Sequence, residues 1–118
     1  MDVDQNDAVE MYRREVAKVE SLTDEEQLRF FREASNPGEQ GELAKRRILE
    51  STLHLVLPIA EQHTSSGLSM LDLIQEGNIG LMRALDIFRG DRLDDFSSFA
   101  AAYIENSISE AIARPKRS

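Results

Sequence analysis

Apolar side chains recur at helical intervals along most of this chain and predict an all-α domain. We expect a compact bundle of about five helices, with residues 1–118 forming a single domain. The first helix is predicted from about Asp7 to Lys18. Its apolar face comprises Val9, Tyr12, Val16 and Val19.

Two further helices are predicted in the first half of the chain. Thr23 and Glu26 have the spacing of a capping box and open the second helix. Its inward positions are Leu28, Phe31 and Ala34. After a turn at residues 35–38, a long third helix is predicted from about Glu39 to His63. Residues 53–60 are apolar on almost every side and are expected to be buried, with a kink at Pro58, because proline removes a backbone hydrogen bond.

The fourth predicted helix carries the most informative pattern. A capping box formed by Ser69 and Asp72 opens it. Its core face comprises Leu73, Ile74, Leu81, Ala84, Leu85 and Phe88. A second line of side chains, spaced at i, i+4, i+7 and i+11, comprises Leu71, Gln75, Asn78 and Met82. Such a mixture of amide, thioether and apolar groups is typical of a helix that docks against a partner helix. Gly77 and Gly80 predict the close approach of a neighbouring helix.

A charged loop over residues 89–95 leads to the last predicted helix, which runs from about Ser97 to Ala113. Its apolar positions are Phe99, Tyr103, Ile104, Ile108 and Ile112. Residues 114–118 are basic and interrupted by proline, so we expect them to form a disordered tail.

Charge restricts the possible partners. The formal net charge is −8, whereas DNA binding rests mainly on Lys and Arg side chains that neutralise phosphates. The basic residues cluster only in part, at residues 45–47 and at Arg114, Lys116 and Arg117. The chain has no cysteine, which excludes disulfides and thiolate metal sites and fits a reducing cytoplasm. Its apolar runs are too short to span a bilayer, so we expect no membrane partner.

The residue patterns give little support for an enzymatic function. His54 and His63 are nine positions apart and do not meet as helical metal ligands would. The acidic residues Asp91, Asp94 and Asp95 lack the glycine and terminal glutamate of a calcium loop. Nothing resembles a nucleophile elbow or a phosphate-cradling glycine loop. We therefore expect no catalytic residue, no metal and no cofactor.

One eleven-residue run carries a family resemblance. Asp72-Leu73-Ile74-Gln75-Glu76-Gly77-Asn78-Ile79-Gly80-Leu81-Met82 is identical to a signature of bacterial RNA polymerase sigma factors. From about Asp7 to Ala113 the chain resembles regions 1.2 and 2 of the sigma-70 family. The resemblance implies a transcription initiation factor domain that works in the cytoplasm.

In that family, one surface of region 2 grips the coiled-coil clamp helices of the polymerase β′ subunit. The positions that match this surface are Leu53, Leu71, Asp72, Gln75, Glu76, Asn78 and Met82. Acids and amides can pair with arginines of the coiled coil, while Leu and Met supply apolar area. The alternative is that the signature is kept only for folding, but Gln75, Glu76 and Asn78 are not core residue types.

In the same family, the last helix melts the minus-ten promoter element and stacks flipped bases. Here the match is poor: Ala102 and Tyr103 replace a tryptophan pair, and Glu105 and Glu110 replace arginines. The residues that could still stack on or hydrogen-bond to bases are Phe99, Tyr103, Asn106 and Ser109. Residues 86–113 carry six acids against two arginines, which repels phosphates.

The resemblance leaves several functions open. The domain is expected to bind core RNA polymerase, with weakened or altered reading of promoter DNA that occurs only within the polymerase complex, if at all. The alternative is a mimic of region 2 that competes for polymerase or titrates an anti-sigma factor. The chain stops where region 2 stops, so it is either a fragment of a longer sigma factor or a natural short protein; Met1 favours a natural start.

Overall fold

A computed structural model describes residues 5–115 of the chain, and the regular elements within that range are helices. They are, in chain order, α1 Gln5–Lys18, α2 Asp24–Glu33, α3 Glu39–Thr52, α4 Val56–Glu61, α5 Met70–Ile87 and α6 Leu93–Ala113. The prediction of an all-α bundle is confirmed. The predicted tail lies largely outside the described residues, because these end at Pro115.

The long third helix of the prediction is wrong, because the structure divides it in two. A 3₁₀ turn, Leu53–Leu55, separates α3 from α4, and α4 ends at Glu61. The ring of Pro58 clashes with the carbonyl of His54 in a continuous helix, and His54 is the middle residue of the turn. Pro58 itself lies in the first turn of α4, where a backbone N–H has no helical partner to lose. The predicted kink is therefore present, but it lies before the proline.

The expectation that residues 53–60 are buried holds only in part. Val56, Leu57 and Ala60 are buried, whereas His54 and Pro58 are exposed. The break between α3 and α4 turns one side of the segment to the core and the other to solvent.

Helix α2 begins as predicted but faces the core differently. The Thr23 hydroxyl accepts the Glu26 N–H at 3.1 Å, and the Thr23 N–H donates to the Glu26 carboxylate at 2.9 Å. The second of these bonds holds the pKa of Glu26 below its ordinary value. Phe30 and Phe31 are the buried residues of the helix, and Leu28, predicted to face inward, is 45% exposed.

The core is built around α5 and α6, and the predicted core face of α5 is confirmed from Leu73 to Leu85. A Cβ added at Gly80 would meet the Tyr103 carbonyl oxygen and lie 2.9 Å from the Ile104 Cα. At Gly77 it would lie 2.6 Å from the Val56 Cγ1 atom. Both glycines therefore permit the close helix approach that the sequence predicts.

Helix α6 begins at Leu93, four residues earlier than predicted. Asp94 and Asp95 consequently lie in its first turn, where carboxylates favour the positive end of the helix dipole. Its N-cap residue, Arg92, provides no side-chain cap. The Gln27 side chain instead accepts the Leu93 N–H at 2.8 Å, so α2 caps α6.

Candidate functional site

Helix α5 presents most of the predicted partner-binding residues. It begins after Ser69, whose hydroxyl accepts the Asp72 N–H at 3.1 Å and forms one half of the predicted capping box. Asp72, Gln75, Ile79 and Met82 are exposed along one side of the helix, and we call these four residues the α5 stripe. Ile79 and Met82 are 37% and 47% exposed, which leaves apolar surface in water between polar neighbours. The α5 stripe can therefore offer both apolar area and hydrogen-bonding groups to a partner.

Ile79 is missing from the predicted site. It lies four residues after Gln75 and three before Met82, so the helical period could have found it. The prediction follows a neighbouring line through Asn78 instead.

Asn78 and Leu71 lie in that neighbouring line and are only partly accessible. The Tyr12 hydroxyl donates to the Asn78 side-chain oxygen at 3.3 Å, which joins α1 to α5. Burial raises the pKa of Tyr12 above its ordinary value, against the opposing effect of this hydrogen bond. Leu71 packs against the core. These two residues therefore support the fold beside the α5 stripe.

The remaining two predicted residues also make contacts within the chain. An Arg114 guanidinium nitrogen donates to the Glu76 carboxylate at 3.2 Å, linking the end of α6 to α5. Leu53 is half-buried in the 3₁₀ turn and packs against the core. The structure thus brings Asp72, Gln75 and Met82 to one exposed surface, with the other four predicted residues partly engaged.

A groove between α3 and α5 adjoins the α5 stripe. Its volume is about 470 Å³, and Met82 and Leu49 provide apolar lining. Lys45 and Arg46 border it on α3, and a 3.6 Å ion pair joins Lys45 to Glu42. Local sequence patterns do not predict this groove, because it joins residues of two separate helices.

The predicted DNA-reading residues divide into two pairs. Phe99 and Tyr103 are half-buried, with ring centroids 4.9 Å apart, and Phe99 lies 5.5 Å from Phe88. Their rings therefore form part of an aromatic cluster within the domain. Asn106 and Ser109 are exposed, and the Ser109 hydroxyl donates to the Glu105 carboxylate at 3.5 Å.

The two acids of α6 that replace family arginines have partners within the chain. Glu105 lies 2.8 Å from the Nε2 atom of His63, which follows α4. Glu110 lies 4.0 Å from the Arg83 guanidinium on α5, a longer and more exposed ion pair. The acids thus alter the charge of α6 and also link this helix to its neighbours.

Other kinds of site find no support within residues 5–115. No group of three or more His, Asp or Glu side chains in this range could hold a metal ion. Within the same range, no helix is both long and apolar enough to cross a bilayer.

Comparison with known proteins identifies the class. The family model described as "Sigma-70 region 2" matches residues 48–118, so this chain belongs to the sigma-70 family through its region 2. The resemblance seen in the signature run is thereby confirmed.

Individual relatives match nearly the whole chain. It is 38% identical over 112 residues to "RNA polymerase sigma factor SigA" of Bacillus sp, which covers 95% of this chain and 29% of that protein. It is 37% identical over 112 residues to "RNA polymerase sigma factor SigA" of Lactococcus lactis subsp. cremoris, covering 95% of this chain and 31% of the relative. The chain therefore spans about three tenths of the length of these curated relatives.

Proposed function

We propose that this chain is a transcription initiation factor domain that binds core RNA polymerase through the α5 stripe. Its partner there is the pair of clamp helices in the β′ subunit, and its place of action is the cytoplasm. The observation that carries the proposal is the exposure of Ile79 and Met82 within the family signature. The two relatives, both named as RNA polymerase sigma factors, support the choice of partner.

The side chains of the α5 stripe suit a helical partner. Ile79 and Met82 supply apolar area in its C-terminal half, and Met adapts its shape to an irregular partner surface. Asp72 and Gln75 can pair with arginine and amide groups at the edge, which favours orientation and specificity over raw affinity. The groove between α3 and α5 extends the apolar surface beside Met82.

We further propose that promoter reading by α6 is weakened or altered. Glu105 and Glu110 place negative charge where DNA phosphates would approach, and the salt slope falls by about 0.9 for every phosphate that the protein no longer neutralises. Phe99 already contacts both Tyr103 and Phe88, so stacking of these rings on a flipped base requires the contacts to change. Asn106 remains exposed and can hydrogen-bond to a base.

Binding to purified core polymerase tests the first half of the proposal. The double variant Gln75→Ala with Met82→Ala should weaken the complex about tenfold or more, because it removes one polar and one apolar contact of the α5 stripe and a combined loss of about 1.4 kcal/mol is tenfold in the dissociation constant. Fluorescence anisotropy of the labelled chain gives the dissociation constant. The matched control is Leu28→Ala, since Leu28 is 45% exposed on α2, outside the α5 stripe. No binding, or equal weakening by both sets of changes, contradicts the proposal.

Permanganate footprinting of promoter DNA tests the second half. With core polymerase and this chain, melted thymines should be fewer than with a SigA-type sigma factor, or should lie at a different sequence. Opening of ordinary minus-ten elements at full efficiency contradicts the proposal.

A second candidate function rests on the in-chain pairing of Glu105 with His63. A region 2 domain whose α6 acids serve its own fold can compete with a sigma factor for polymerase, or titrate an anti-sigma protein, without opening DNA. A competition assay separates the candidates. Inhibition of SigA-dependent transcription without melted thymines supports the regulator, whereas opening by this chain supports the initiation factor.

A further inference from the structure

A second groove lies between α2 and α3, and we call it the α2–α3 groove. Its volume is about 580 Å³. The buried side chains of Phe30 and Ala44 lie beneath it, and Leu43 at its edge is 49% exposed. Helical spacing puts Leu43 and Arg47 on one side of α3, and Lys45 and Leu49 on the other. The α2–α3 groove therefore opens on a different side of α3 from the groove beside the α5 stripe, although Arg46 borders both.

Arginines border the α2–α3 groove. The guanidinium carbons of Arg29 and Arg47 lie 4.7 and 5.2 Å from the centroid of the Phe30 ring, and Arg46 lies further along. Among the described residues that line the groove, these three arginines face one acid, Glu33. In a chain of net charge −8, the groove is thus a local site of positive charge.

The arginines keep capacity for another ligand. Arg47 lies 3.8 Å from the Glu26 carboxylate, beyond hydrogen-bond distance, and its side chain is half exposed. Cation–π contact with the Phe30 ring holds both guanidinium groups, and both arginines are exposed. A planar guanidinium with accessible N–H groups suits carboxylate recognition.

We propose that the α2–α3 groove binds an acidic peptide segment that carries leucine-like side chains. Carboxylates of the peptide pair with Arg29 and Arg47, and an apolar side chain packs on Leu43 above Phe30. A peptide fits better than a nucleic acid, because its carboxylates can be spaced to meet Arg29 and Arg47 away from Glu26 and Glu33, whereas a phosphate backbone carries a charge at every nucleotide. The exposed leucine also favours a ligand with apolar groups.

The test uses the full chain and a synthetic fluorescent peptide with helical Glu and Leu repeats. Two matched peptides replace every Glu by Gln, or every Leu by Ser. Binding is followed by anisotropy and by amide chemical shifts. The double variant Arg29→Gln with Arg47→Gln should weaken binding of the Glu–Leu peptide on the order of tenfold, and Leu43→Ser about threefold.

Two matched variants control for effects of losing an arginine or a leucine anywhere on α2. Arg32→Gln removes an exposed arginine of α2 outside the lining, and Leu28→Ser removes an equally exposed leucine, so both should bind the peptide like the parent chain. Thermal unfolding monitored by circular dichroism checks that every variant is folded. The proposal is overturned by absence of saturable binding, by equal weakening in the control variants, or by tighter binding of oligothymidine than of the Glu–Leu peptide.

The proposed peptide site is distinct from the proposed polymerase-binding surface, and each can be disproved without the other. Arg29, Leu43 and Arg47 lie outside both the α5 stripe and the groove beside it. Core polymerase should therefore bind the double arginine variant as it binds the parent chain. The Gln75→Ala and Met82→Ala changes should in turn leave peptide binding unchanged.

Discussion

Helices α5 and α6 pack against each other through Gly80 and Ile104, yet their outward faces are built differently. On α5, Ile79 and Met82 are exposed, which leaves apolar surface in water and is unfavourable in free energy. On α6, Glu105 contacts His63, and Phe99 packs against Tyr103. The face of α5 leaves apolar side chains exposed to solvent, whereas much of the face of α6 is engaged with the domain itself. The helix that carries the family signature and the helix whose predicted DNA-reading positions are altered thus also differ in how many of their outward side chains contact the rest of the domain.

The change Gly80→Ala should have the largest effect, because it pushes apart the two helices being compared. The added Cβ would meet the Tyr103 carbonyl oxygen and the Ile104 Cα, and backbone atoms cannot rotate away. We expect the free energy of unfolding to fall by about 1–3 kcal/mol, even though alanine favours a helix over glycine. Urea denaturation measures this loss.

Gly77→Ala is the matched control for that substitution. The atoms nearest its Cβ belong to the side chains of Val56, Ile104 and Ile108, whereas those at Gly80 include backbone atoms. Its loss of stability should therefore be smaller than that of Gly80→Ala. A larger loss of stability for Gly77→Ala than for Gly80→Ala would show that the packing of α5 on α6 does not depend on the backbone contact at Gly80.

Restoring positive charge on α6 should make its face more like that of a DNA-binding helix. The double variant Glu105→Arg with Glu110→Arg should bind a forked promoter duplex more tightly, with a salt slope steeper by about 0.9 for each additional phosphate that it neutralises. Anisotropy titrations over a range of salt concentrations measure both. Glu20→Arg with Glu39→Arg makes the same change of net charge outside α6. Equal tightening in the two variants would mean that net charge, and not the face of α6, governs DNA binding.

Most of the fold could be predicted from the sequence, because the helical period and the capping residues act locally. The core face of α5 and the Thr23 cap follow from such patterns. The errors arise where distant residues decide. The exposure of Leu28 depends on which side of α2 meets the core, and the early start of α6 is stabilised by Gln27, 66 residues away. Neither can be read from local spacing.

The candidate site was predictable only in outline. The family signature points to α5, but helical spacing could not show that Asn78 contacts Tyr12 or that Glu76 contacts Arg114. Likewise, the sequence alone presents Glu105 only as a charge that repels DNA, because its contact with His63 joins residues 42 positions apart. Helical spacing was sufficient to add Ile79 to the site, but its 37% exposure is seen only in the structure.

A double-mutant cycle can measure the coupling free energy between each acid of α6 and its partner side chain. The pair His63 and Glu105 is short and half-buried, so His63→Ala with Glu105→Ala should show a coupling free energy of about 0.5–1.5 kcal/mol. Arg83 and Glu110 form the matched pair, which is longer and more exposed, and should couple by only about 0–0.5 kcal/mol. Thermal or urea unfolding of the single and double variants supplies both values. Equal coupling free energies in the two pairs would contradict the expectation that Glu105 is held more strongly than Glu110.

The smallest effect concerns the support of α5 by α1. Tyr12→Phe removes the hydrogen bond to Asn78, and we expect a loss of about 0.5 kcal/mol in the free energy of unfolding at neutral pH. Because burial raises the Tyr12 pKa in the folded state, the unfolded chain releases this proton first as the pH rises past the ordinary value of 10.0. The contribution of Tyr12 to stability is therefore complete below that pH and is lost as the pH rises through the folded-state pKa. Tyr12→Phe should remove this alkaline loss, measured by urea unfolding across the pH range, whereas Tyr103→Phe should retain it. If both variants lose the same alkaline dependence, the buried hydroxyl of Tyr12 is not its source.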